Sequence, residues 1–198
     1  QRRYPLSLLR LCYALYGGCE FAEFARQMTR IRELLADSGA HYLGEWELLD
    51  ALAFFPDLDG MDAAYARAEK LLTHDSELFI PEEPFFFGCT SMWYLFYAEP
   101  GQMMTTADRL AQVLKRYDRL TNGHAAGAEE LYRGEAYSVQ GRFEESDIQA
   151  YQAAFLSEQA HNASATYGAA LLLGINAIYR SDMAGLQKAV DYLENKAR

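Results

Sequence analysis

Four pairs of neighbouring acids, Glu45 with Glu47, Glu82 with Glu83, Glu129 with Glu130 and Glu144 with Glu145, have the residue type needed for general acid and base chemistry. They read better as surface charge. Glu144 and Glu145, for instance, fall in the first turn of an expected helix, where a carboxylate meets the unpaired amides of the helix start. The histidines His41, His74, His124 and His161 are widely separated, no H-E-x-x-H occurs and no cysteine stands at ligand spacing, so no metal site is expected. Cys12, Cys19 and Cys89 form no C-x-x-C and cannot all pair, which points to reduced thiols and a cytoplasmic protein. The patterns G-x-S-x-G, G-x-x-x-x-G-K-[ST] and G-x-G-x-x-G are missing. No catalytic residue and no cofactor is therefore expected in this segment, and an α-helical enzyme is the reading these residues support least.

Charge excludes a further class. The chain of 198 residues carries 18 basic and 28 acidic side chains, a net charge of -10, which opposes contact with a nucleic-acid duplex or an anionic membrane. The acidity is local: residues 41 to 100 hold twelve acids against only Arg67 and Lys70. That block is a candidate contact surface for a basic partner or a neighbouring domain, with a solvated face as its default role. No apolar run approaches the roughly 20 residues that span a bilayer, and Arg10 interrupts the signal-like start. The first residue is Gln1, and a piece of a longer protein is expected.

The elements that must position any site are helical. Apolar residues recur at helical spacing, giving expected helices over about 4–16, 20–37, 41–54, 58–73, 89–98, 102–119, 124–140, 143–160, 163–180 and 183–197. Turn residues Gly18, Asp57, Gly101, Gly141 and Ser181 punctuate them at steps of 39, 44, 40 and 40 residues. This interval predicts an all-α solenoid of about five antiparallel helix pairs in a right-handed superhelix, at about 4–37, 41–73, 89–119, 124–160 and 163–197. Residues 1–198 then form one helical-repeat domain, with an irregular insertion at 74–87 that packs back onto the array. Gly123 to Gly127 reads as a turn opening a helix, and Asn162-Ala163-Ser164 as a helix start with a capping Asn or Ser.

Residues 127–160 resemble a tetratricopeptide repeat. Gly134, Ala136, Tyr137, Gly141, Phe143 and Ala153 stand at that family's small and aromatic positions, with Ser146 in place of the usual Ala. Residues 42–75 keep Tyr65 and Ala68, and residues 167–198 keep Gly174, so the other repeats are degenerate.

A second resemblance covers about residues 41–182. It rests on Phe87-Gly88-Cys89-Thr90-Ser91-Met92, Tyr94-Leu95-Phe96-Tyr97 and Glu99-Pro100-Gly101, then Leu120-Thr121-Asn122-Gly123-His124 and Gly127-Ala128-Glu129. Gly44-Glu45-Trp46-Glu47-Leu48-Leu49 and Asp57 to Met61 precede them. In this order they resemble the central helical region of MalT-like, LuxR-family ATP-dependent transcriptional regulators. Cys89-Thr90 stands where that group has Ser-Pro, and Ala125-Ala126 where it has Gly-Ser. The resemblance implies a sensor segment that binds a small-molecule effector or a regulatory protein. It also implies an ATPase domain and a helix-turn-helix domain on the same parent chain. A stand-alone tetratricopeptide adaptor holding a partner peptide is the alternative.

On a tetratricopeptide array the first helix of each pair lines the concave wall. Projection places Trp46, Asp50 and Phe54, then Ser91 and Leu95, then Leu131, Glu135 and Ser138 there. His124, with Glu129 one turn later, is a further candidate, although a local hydrogen bond is its commoner role.

Overall fold

The computed structural model describes residues 3–38, 40–80, 83, 85, 92–97 and 99–196. Among these residues the protein is all-α, with no strand. The helices are α1 (Arg3–Gly17), α2 (Phe21–Ser38), α3 (Leu43–Asp50), α4 (Leu58–Leu71), α5 (Met103–Leu120), α6 (Ala128–Val139), α7 (Phe143–Gln159), α8 (Ala163–Tyr179) and α9 (Met183–Lys196). None of them is long and apolar enough to cross a membrane. The chain groups into two compact units, residues 1–80 with 119–122, and residues 81–118 with 123–198.

In the first unit α2 buries Phe24, Met28, Ile31 and Leu35, a spacing that keeps one face toward α1 and α3. α4 does the same with Met61, Ala64, Tyr65 and Ala68, and it starts at Asp57, whose carboxylate accepts from the Asp59 amide. The expected helix 41–54 is shorter than its pattern: 3₁₀ turns at Ala40–Tyr42 and Ala51–Phe54 flank α3. Leu78 and Phe79, beyond α4, are buried, and Phe79 meets Tyr13 edge-on. This part of the expected insertion packs into its unit.

In the second unit α6, α7 and α8 each pack on the next helix, and α6 also packs on α8. The expected helix 89–98 is described only at 92–97, where Met92–Leu95 is a 3₁₀ turn. The expected helix 124–140 begins only at Ala128. Its predicted first turn is instead irregular, closed by Ala126 N–H to Gly123 O and Ala128 N–H to Ala125 O, and Gly127 turns the chain at φ 83.

Five helix ends share one closure. A residue at positive φ, Cys19, Asn122, Gly141, His161 or Ser181, lets the next amide reach back to the carbonyl five residues earlier. The bonds run from Glu20 to Leu15, Gly123 to Asp118, Arg142 to Tyr137, Asn162 to Ser157 and Asp182 to Ala177, at 2.8 to 3.0 Å. Only Gly141 is the residue that adopts this conformation without steric cost. At exposed His161 the left-handed backbone costs roughly 1–2 kcal/mol, partly offset in a glycine variant by the freer unfolded chain. His161→Gly is therefore expected to stabilise the protein by about 0.5–1 kcal/mol, seen as a higher urea midpoint at unchanged slope.

Candidate functional site

The α6–α8 contact is set by small and polar residues. A Cβ on Gly134 would lie 2.8 Å from Leu172 Cδ2 and 3.3 Å from the Ser146 carbonyl, so glycine fixes how closely α6 approaches α7 and α8. Across the same contact, fully buried Asn176 accepts from Ser138 Oγ at 2.6 Å. Its Nδ2 donates to Ser146 Oγ and Asp147 Oδ1, both at 2.8 Å. Ser146, the departure from the usual Ala, is thus an acceptor in a polar network spanning three helices.

Above this network lies a groove of about 490 Å³, within the size range of small-ligand sites. Glu135 and Ser138 of α6 form its polar floor, and both are almost buried, at 4% and 8% exposure. Ile175 and Tyr179 of α8 and Tyr94 form exposed apolar walls. The Tyr179 ring is held by stacking on Phe143 at 5.8 Å. Desolvation first, then the nearby Glu135 carboxylate and Tyr179, push the Tyr94 phenol above its ordinary pKa, so it remains neutral. A groove that brings one carboxylate together with two tyrosine rings suits a ligand with a polar group and an apolar part.

The other expected wall residues are placed differently. Trp46 is only 4% exposed, its Nε1 donates to the Met28 carbonyl at 2.8 Å and the Arg32 guanidinium lies 4.8 Å above its ring. It is core. Asp50 is half-buried, with Arg67 3.5 Å away and bonded at 2.7 Å to Glu47. Phe54 stays exposed, as does Leu95, and Ser91 lies outside the described residues. Leu131 is fully buried. Glu129 does not orient His124; it pairs with Lys115 at 3.1 Å and Arg133 at 3.5 Å.

His124 is fully buried. Its Nδ1 is 2.6 Å from the Tyr117 hydroxyl, Phe85 packs edge-on to its ring, and Asn162 Nδ2 donates to its carbonyl at 3.1 Å. Asn162 also caps α8 by accepting from the Ala165 amide, as its sequence context predicts. His124 therefore closes the turn at 121–127 and does not face the groove.

Burial pushes the Cys12 thiol up to about 11, which removes its nucleophilic form at neutral pH. The sequence separation of the histidines misleads for one pair: the rings of His41 and His74 lie 4.4 Å apart.

No protein-family model, curated protein or solved structure matches the chain. A second groove, of about 430 Å³, is lined by α7, α8 and α9 residues including Tyr151, Lys188 and Tyr192. It contains none of the residues expected from sequence, and Arg180 and Asp147 on its wall already pair with one another at 2.7 Å. The groove over Glu135 is the better candidate, because it includes two residues that sequence projection selected.

Proposed function

We propose that the chain is a cytoplasmic, tetratricopeptide-like sensor segment of a MalT-like, LuxR-family regulator. In this reading about five antiparallel helix pairs form a right-handed superhelix. The segment is non-enzymatic and holds no cofactor. It binds a small effector, or a regulatory protein in its place, and ATPase and helix-turn-helix domains of the same parent chain supply nucleotide and DNA binding. Helix closures near 20-residue spacing from Asn122 to Ser181 support a repeat, as does packing of each of α6 to α8 on its successor.

The observation that carries effector binding is the groove that nearly buried Glu135 lines together with Tyr94 and Tyr179. A ligand there changes the regulator's switch only through unequal affinity for its two states.

The test is thermal stability of the intact chain against a metabolite library. A ligand at 100 times its Kd stabilises by about 2.7 kcal/mol. Glu135→Gln and Tyr179→Ala should each remove most of that shift, measured against the variant's own ligand-free melting temperature. A defined protein that binds saturably, with no small molecule shifting the melting temperature, would favour the adaptor, since the same mixed wall suits a peptide. A parent reading frame without an upstream phosphate loop and a downstream helix-turn-helix would refute the regulator assignment.

A further inference from the structure

Within the first unit, the segment after α4 returns to α3 through a set of specific bonds. Ser76 Oγ donates to Glu45 Oε2 at 2.7 Å, and the Glu77 amide donates to Glu45 Oε1 at 2.5 Å. The Leu78 and Phe79 amides donate in turn to Ser76 Oγ at 3.3 and 3.0 Å. Arg10 adds a bond to the Glu77 carbonyl at 3.1 Å. These contacts fix the backbone that carries His74 and Glu77, while the 3₁₀ turn Ala40–Tyr42 carries His41 toward them. One side-chain donor atom from each of His41, His74 and Glu77 lies within 4.8 Å of the other two.

The His74 ring is also oriented as a metal ligand requires. Its Nδ1 is 2.7 Å from the Asp75 carbonyl. A carbonyl can only accept, so Nδ1 carries the proton and, in the neutral ring, Nε2 carries the lone pair. Nε2 is shielded from solvent, and the His41 carbonyl lies close enough to accept from it when the ring is protonated. A backbone carbonyl accepting from one ring nitrogen is the support that orients a ligating histidine, and loss of the proton from the other nitrogen opens its lone pair to a metal. Among the described residues His41, Tyr42, Asp75, Glu45 and Glu77 surround the ring, and the Arg10 guanidinium is bound to the Glu77 carbonyl rather than to its carboxylate.

We infer that His41, His74 and Glu77 bind a divalent transition-metal ion of the zinc and cobalt class. Two imidazoles favour that class over magnesium or calcium, which take oxygen ligands. Metal–nitrogen bonds of about 2.0–2.1 Å put tetrahedral ligand atoms roughly 3.4 Å apart, so closure needs a side-chain movement of about 1 Å. Exposed His41 and Glu77 are free to make that movement. Three protein ligands leave one position for water. The ion ties the segment carrying His74 and Glu77 to the 3₁₀ turn Ala40–Tyr42 that precedes α3.

The test uses the intact chain, stripped of metal and held in mildly alkaline buffer. Zinc(II) is titrated calorimetrically and cobalt(II) by visible absorption. The expected result is one equivalent bound, a tetrahedral cobalt spectrum and a raised melting temperature with zinc(II). His41→Ala and Glu77→Gln, both at exposed side chains, should each weaken binding about 10-fold or more, since losing even a supporting residue of a metal site typically costs 10–100-fold. His161→Ala should bind as the parent does. Failure of the parent chain to bind zinc(II) would overturn the inference, as would binding unchanged in the His41→Ala, Glu77→Gln double variant. Neither result bears on the groove over Glu135.

Discussion

Asn176→Leu is expected to destabilise the protein by about 3 kcal/mol. The side chain is fully buried and makes three hydrogen bonds, to Ser138, Ser146 and Asp147. A net hydrogen bond contributes about 0.5–1.5 kcal/mol, but a polar group left buried without a partner costs roughly 1–3 kcal/mol. Leucine has similar bulk, so the loss comes from stranding the Ser138 and Ser146 hydroxyls rather than from a cavity. This makes the effect separable. In the triple variant with Ser138→Ala and Ser146→Ala no stranded hydroxyl remains and Asp147 keeps its pair with Arg180, so at least half of the lost stability should return, because removing a buried polar group together with its partners approaches neutrality. Urea unfolding of the single, double and triple variants measures this. If the single variant costs less than about 1 kcal/mol, or the alanines restore nothing, the network does not hold α6, α7 and α8 together.

That network also shows what the sequence could and could not disclose. Asn176 lies in the apolar stretch Ala169 to Ile178, whose periodicity announces a helix but not a polar partner. Ser146 stands out only as a departure from a repeat pattern. Its reason, an acceptor for Asn176, exists only once α7 and α8 are packed. Helix existence was legible because it depends on local spacing: α1, α2, α4, α5, α7, α8 and α9 fall within a few residues of expectation. The turn at Gly141 was legible because glycine marks positive φ, whereas Asn122 and His161 adopt the same backbone without advertising it. Projecting a helix face selects Glu135 and Ser138, and both line the groove along the regular helix α6. The same projection misplaced Trp46, since α3 is buried along most of its length and has no solvent-facing wall at that point. The meeting of His41 and His74 depends on the path of the chain after α4, which no local pattern encodes.

Gly127→Ala should cost about 3 kcal/mol or more, and a matched control isolates the reason. Two demands converge at Gly127: its φ of 83 lies where an L side chain is strained, and a Cβ would stand 2.5 Å from the Ala153 carbonyl oxygen and 3.1 Å from Ser157 Cβ. The first demand costs roughly 1–2 kcal/mol. The second requires α6 and α7 to separate, because the obstacle is helix backbone rather than the end of a flexible side chain, and overpacking of this kind costs about 1–3 kcal/mol. Gly141 has the same backbone sign, φ 74, but nothing within 4 Å of its would-be Cβ. Gly141→Ala therefore reports the backbone cost alone, at about 1 kcal/mol after the unfolded-chain gain. The difference between the two urea midpoints, at equal slopes, measures the close approach of the 121–127 turn to α7. Equal losses would mean that α7 yields freely and that the turn, with His124 and Asn162 packed behind it, is not held against that helix.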